Sequence, residues 1–248
     1  MTSYGVTVVR RADGSADGWV NDLPGCRATA ASYDEMWRLL PIVVAEHLAW
    51  LAGHGEPVSP NESFGFEVIE DTESRGEFAF EADKPPLTAE ELERGIRHAA
   101  YAHADLLHAA GRLPDAVLDW RPPPSSVKID QIFPDVRSIR QMLEHVAATE
   151  AFFYVGSLSD EPRSGPPAEA PPPLADLHSA TAARLRGLPA ESLARVFRRT
   201  GPRGEMEWTA RKVLRRIVSH KRFHTREIQQ RLSWLVLGVP EVLPRNRE

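Results

Sequence analysis

Apolar and polar positions change rhythm several times along the chain. Residues 4–9, Tyr-Gly-Val-Thr-Val-Val, are rich in β-branched side chains and predict a strand. Asp13-Gly14, inside residues 10–18, predicts a hairpin that returns through Trp19-Val20-Asn21. Leu23-Pro24-Gly25-Cys26 reads as a turn and residues 27–31 as a short third strand. Ser32-Tyr-Asp-Glu35 then has the form of a capping box, a hydroxyl for the orphan N–H groups and a Glu three residues later. The helix it opens runs to about Gly53, with Trp37, Leu40, Val44, Leu48 and Leu51 on its buried face. Pro41 inside it removes one backbone bond and predicts a kink. Residues 64–69 alternate as a fourth strand, so residues 1–70 form a small β-β-β-α-β domain.

Residues 71–87 mix charge with Gly76 and Pro85-Pro86 and read as a linker, with one strand at 77–80. Thr88-Ala-Glu-Glu91 is a second capping box; its helix runs to about Ala110, with Leu92, Ile96, Ala99, His103, Leu106 and Ala110 inward. Trp120–Pro124 is loop. A further helix spans about 135–157, with Ile139, Met142, Leu143, Val146, Phe152 and Phe153 apolar. The Pro-rich stretch 159–173 cannot be regular structure. A short helix covers 174–188, and 192–208 is an extended excursion around Gly201-Pro-Arg-Gly204. Thr209 caps a last long helix that meets no Gly or Pro until Gly238. Four helices on long connections predict a four-helix bundle over 88–240. The fold class is therefore α+β.

Composition narrows the function classes. A hydrophobic content of 42% supports a real core, and a net charge of −5 gives no electrostatic case for nucleic acid. Cys26 is the single cysteine, so no intrachain disulfide can form. No stretch approaches about 18 consecutive apolar residues, and the N-terminus lacks the pattern of a signal peptide. These features predict a soluble cytoplasmic protein without a membrane partner.

The chemistry concentrates in the last helix. Val213, Ile217, His220, His224, Ile228 and Leu235 recur at intervals of three, four or seven and share one face. Two imidazoles therefore occupy places where Leu or Ile would be expected. Arg211, Lys212, Arg215, Arg216, Lys221, Arg222 and Arg226 flank the stripe and read as a solvated basic face, with contact of Arg215, Arg222 or Arg226 to a bound anionic thiol cofactor as the alternative. His145, mid-helix in the second bundle helix, would complete a set of three imidazoles, although it could also be a core histidine. Three protein ligands with one open position are the usual plan of a catalytic divalent-metal site. Imidazole ligands suit Zn, Ni, Cu or Fe, and ligand type alone does not choose among them; Zn or Ni is the expected ion. Glu150 on the stripe Leu143–Val146–Phe153 is the candidate catalytic carboxylate; a role holding an imidazole, or a solvated helix end, stays open. His98, His103 and His108 step by five residues and cannot share a face. His47, His54 and His178 read as structural or solvent-facing, and Cys26 as a small buried residue.

Two resemblances follow from these motifs. The first strand, Leu23-Pro24-Gly25-Cys26, the helix from Ser32 and Gly55-Glu56-Pro57 resemble the N-terminal domain of HicB-like antitoxins. That resemblance implies a binding module rather than chemistry. His145 with Glu150, Trp208-Thr209 at a helix start, and His220-x-x-x-His224 resemble the DinB superfamily of YfiT-like metal-dependent hydrolases over about 88–236. The chain departs from that pattern at Glu227, where Gln is common. The DinB resemblance implies a divalent-metal four-helix bundle, often a homodimer, acting on a small-molecule substrate. Its characterised relatives include S-transferases and isomerases dependent on a low-molecular-weight thiol. The expected function is metal-dependent hydrolysis or thiol transfer. The alternative is a non-catalytic, metal-containing binding protein whose HicB-like domain docks a partner.

Overall fold

The computed structural model describes residues 2–59, 63–73, 76–122, 137–159, 170–201 and 204–238. The N-terminal part is a four-stranded sheet in the order β3-β2-β1-β4, from β1 (Thr2–Arg10), β2 (Ala16–Val20), β3 (Arg27–Ala30) and β4 (Phe64–Glu73). The β1–β2 and β2–β3 pairs are antiparallel, whereas β4 returns parallel to β1 after the crossover helix α1 (Tyr33–Gly53). The Ser32 hydroxyl accepts from the Glu35 N–H at 3.2 Å, as the capping pattern predicted. Met36, rather than Trp37, is the first fully buried residue of α1; Trp37 lies half-buried against Phe66.

The second part is helical: α2 (Ala89–Ala110), the short α3 (Asp115–Leu118), α4 (Ile139–Ala148), α5 (Leu174–Arg186), the short α6 (Ala190–Leu193) and α7 (Ala210–Leu237). An antiparallel hairpin, β5 (Phe197–Gly201) with β6 (Gly204–Trp208), occupies the predicted extended excursion. Thr88, Ser138 and Thr209 cap α2, α4 and α7 through their hydroxyls. The onset predicted for α4 at Asp135 lies outside the described residues. After Ala148 the helix loosens into a π-turn, Thr149–Tyr154, and then tightens into a 3-10 turn, Val155–Ser157. The extra residue in the π-turn shifts the phase: Tyr154 is buried, and Phe152 and Phe153 are only partly so.

Apolar side chains of α2, α4, α5 and α7 share two cores, one around Ile96, Leu214 and Trp208, the other around Leu106, Met142 and Ile228. Gly95 lets α2 approach α7 closely, since a Cβ there would stand 2.5 Å from Leu214 Cδ1. The N-terminal part lies against the same α7. Gly25, at φ +87°, has no room for a Cβ, which would fall 2.5 Å from Val218 Cγ1. The Trp50 N–H donates to Asp105 at 2.7 Å, and Glu56 accepts from Arg97 and Tyr101 at 2.6 and 3.1 Å.

Residues 76–87 are not a loose connection. No strand forms at 77–80; a 3-10 turn at Glu81–Asp83 follows instead. Glu77 pairs with Arg216 and Lys212 at 2.9 and 3.3 Å. Asp83 takes both arms of Arg215, whose guanidinium lies between the rings of Trp19 and Phe80. The basic flanks of α7 are thus not a solvated face: Lys212, Arg215 and Lys221 are buried, each with a carboxylate partner. A buried cation without such a partner would carry a large desolvation cost. Leu235, expected on the inward stripe, is exposed. No helix among the described residues is long and apolar enough to cross a membrane.

Candidate metal centre

His145 comes from the last turn of α4, and His220 and His224 from successive turns of α7. The helix repeat stacks the second pair on one face, and packing of α4 against α7 brings the third ring to them. His220 Nε2 lies 3.1 Å from His145 Nε2 and 3.0 Å from His224 Nε2. One ligand atom from each ring falls within 4.8 Å of the other two. Nitrogens that each sit about 2.0–2.1 Å from a shared Zn²⁺ are about 3–3.4 Å apart, so this spacing suits a common ion.

The outer ring atoms support the same use. The Glu227 carboxylate lies 2.7 Å from His224 Nδ1, which makes that nitrogen the donor and leaves Nε2 a bare lone pair facing the cluster. The Thr149 hydroxyl lies 3.2 Å from His145 Nδ1. Burial pushes His145 down to about 3 and His220 well below the ordinary imidazole value. Both rings are thus neutral near pH 7, the form that ligates a metal. Tyr154 and Phe223 wall the cluster, their rings 5.6 and 5.2 Å from His220 and His224. His145 and His220 are only half-buried, so the cluster is not sealed from solvent.

Glu150 is placed differently from a free carboxylate beside the imidazoles. It sits in the π-turn, where it accepts from Lys221 Nζ at 2.8 Å and from the Thr181 hydroxyl at 2.8 Å. Burial lowers the Lys221 ammonium and the Glu150 charge opposes that shift. The carboxylate that touches the cluster is Glu227, three residues beyond His224 on the same helix. Its signal in the sequence is that spacing together with the departure from Gln. Lys221, expected on the solvated flank, is instead buried, and its angular place is readable: about 100° per residue puts it between Leu214 and Ile228 on the apolar stripe. His103 is buried on the inward stripe, its ring 5.9 Å from that of His178. His98 is also buried, whereas His108 is exposed, so the three do not assemble. His47 is fully buried and Cys26 nearly so.

The fold and the cluster define a class: an α+β protein whose helical half brings three imidazoles together. A family model described as the DinB superfamily matches residues 98–228, a span that holds all three histidines and more than half the chain. The chain belongs to the DinB superfamily. No curated protein and no solved structure matches it.

Proposed function

We propose that the chain is a metal-dependent enzyme of the YfiT-like kind, built on a four-helix bundle of α2, α4, α5 and α7. His145, His220 and His224 would hold one divalent transition ion, Zn or Ni first. Such an ion, when bound, makes water or a thiol available as a nucleophile at neutral pH. The reaction classes are hydrolysis of a small molecule and transfer of a low-molecular-weight thiol.

The remaining roles fall to the chain's own groups. Glu227 orients His224 by taking its Nδ1 proton in a hydrogen bond. Glu150 acts through position: with Lys221 it ties the π-turn after His145 to the helix that bears the other two rings. Tyr154 sets a buried aromatic ring against His220, and Phe223 an exposed one against His224. The single observation behind the reading is that three Nε2 atoms from two helices meet at 3.0 and 3.1 Å.

Elemental analysis of purified protein, with His145→Ala and His224→Ala beside it, tests the site. About one ion per chain in the parent and a large loss in both variants is expected. Equal, low metal content in all three would overturn the reading. A Co²⁺-loaded sample whose visible spectrum responds to a low-molecular-weight thiol would favour the transferase branch; no response would favour hydrolysis.

A second reading is a metal-containing interaction protein, often a homodimer, whose HicB-like part docks a partner. Its support is the β-β-β-α-β order and the edge strand β4, which exposes Val68 and Ile69. Monomeric behaviour of both the parent chain and a Val68→Lys, Ile69→Lys variant on sizing would count against a β4-mediated dimer.

A further inference from the structure

The face of α7 turned away from the imidazoles borders an open cavity of about 560 Å³, where the N-terminal part meets α2 and α7. Trp50, Asp105, His108, Arg222, Arg226 and Gln229 line it, and none of the three cluster histidines does. Arg222 stands about 200° around the helix from His220, so the two sites use opposite sides of one helix.

The charges in this cavity are unevenly matched. The Arg222 guanidinium lies over the Trp50 ring, 4.3 Å from its centroid, and one nitrogen meets His47 Nδ1. Among the described residues no carboxylate comes within ion-pair distance of it. Asp105 is on the wall, but its Oδ2 is taken by the Trp50 N–H at 2.7 Å and by His54 Nε2 at 3.3 Å. Arg226 adds a second guanidinium, held from outside by Glu46 at 3.1 Å. A structural Arg in such a place is ordinarily given a carboxylate. Here the missing counter-charge faces a cavity large enough for a small molecule, with the polar side chains of His108 and Gln229 beside it.

We propose that this cavity binds a small organic oxyanion, a carboxylate or a phosphate, that also carries a hydroxyl or amino group for Asp105. Arg222 supplies the planar two-pronged contact to the oxyanion, with Trp50 holding the guanidinium in place. Arg226 adds attraction at the mouth. Asp105, an acceptor only, rejects a second negative group and rewards a donor. Selectivity therefore runs toward hydroxy or amino acids and their phosphate counterparts. The site is independent of the metal proposal.

Isothermal titration of the full chain with inorganic phosphate, glycerate and propanoate tests this. Saturable binding in the millimolar range or tighter is expected for phosphate or glycerate, with glycerate ahead of propanoate. Whichever of phosphate and glycerate binds more tightly identifies the oxyanion class. Arg222→Gln should weaken binding by at least about tenfold, the scale of a lost charged hydrogen bond. Ala109→Glu, a half-buried wall position away from the Arg222 packing, should block the cavity with its own carboxylate and do the same in a fully folded protein. His220→Ala should leave binding unchanged. No saturable binding of any probe, binding of parent strength in Ala109→Glu, or loss of binding in His220→Ala would each overturn the proposal. Propanoate equal to glycerate would overturn the part given to Asp105.

Discussion

Lys221 and Glu150 meet at 2.8 Å with both side chains shut off from solvent, one residue past His220 and five past His145. One ion pair therefore joins the two segments that carry the imidazoles. Glu150→Ala would leave a buried ammonium without its partner, at a cost of about 3–5 kcal/mol. The double change Glu150→Leu, Lys221→Met removes both charges and should recover most of that loss. Urea unfolding of the three proteins checks the order. If the double variant is also the weaker metal binder, the pair positions the ligands as well as stabilising the core.

Glu227→Ala frees the His224 ring to turn and lets either nitrogen carry the proton. Metal affinity should fall about 10–100-fold, the usual range for loss of a group that orients a ligand. Glu227→Gln keeps an acceptor at the same place and should lose less. Competition against a chelator of known affinity measures both.

Acid should weaken the fold before it protonates the carboxylates. Burial holds His98, His103 and His178 down to about 4, against an ordinary 6.5. Between those values the unfolded chain binds more protons than the folded one, so stability rises with pH across that window and is lost as pH falls through it. Below about 4 both states are protonated and these groups add no further slope. Urea midpoints at about pH 5, 6 and 7 should climb in that order, and His98→Gln should flatten the climb.

Gly25→Ala should be costly although it adds one methyl group. At φ +87° a non-glycine residue is strained by roughly 1–3 kcal/mol. Its Cβ would also stand 2.5 Å from Val218 Cγ1 and 2.9 Å from the Ser219 backbone nitrogen. Val218→Ala in the same chain would remove only the Cγ1 contact, since the Cβ of residue 218 stays 2.7 Å away and the backbone contact and strain remain. Thermal melts of the single and double variants should show a partial rescue.

What the sequence made legible was local. Ser32, Thr88 and Thr209 announce their helices because a hydroxyl and a spacing of three suffice to cap an end. His220 and His224 announce a shared face because the helix repeat is fixed, and their mutual approach followed. The fates of Lys212 and Arg215 were not legible, since the residues that cover them, Glu77 and Asp83, lie more than a hundred positions away. The role of Glu150 was missed because the π-turn breaks the regular count after Ala148. Lys221 is hard to read for a different reason: its charge argues for solvent while its angular position on the helix argues for the core.

Arg215 carries a consequence for anyone who would cut the chain. The family match begins at residue 98, yet this guanidinium rests on Trp19, Phe80 and Asp83, all upstream of that limit. A fragment excised at the homology boundary would inherit a cation whose berth had been left behind. The matched span and the set of residues that shelters this charge are not the same length here.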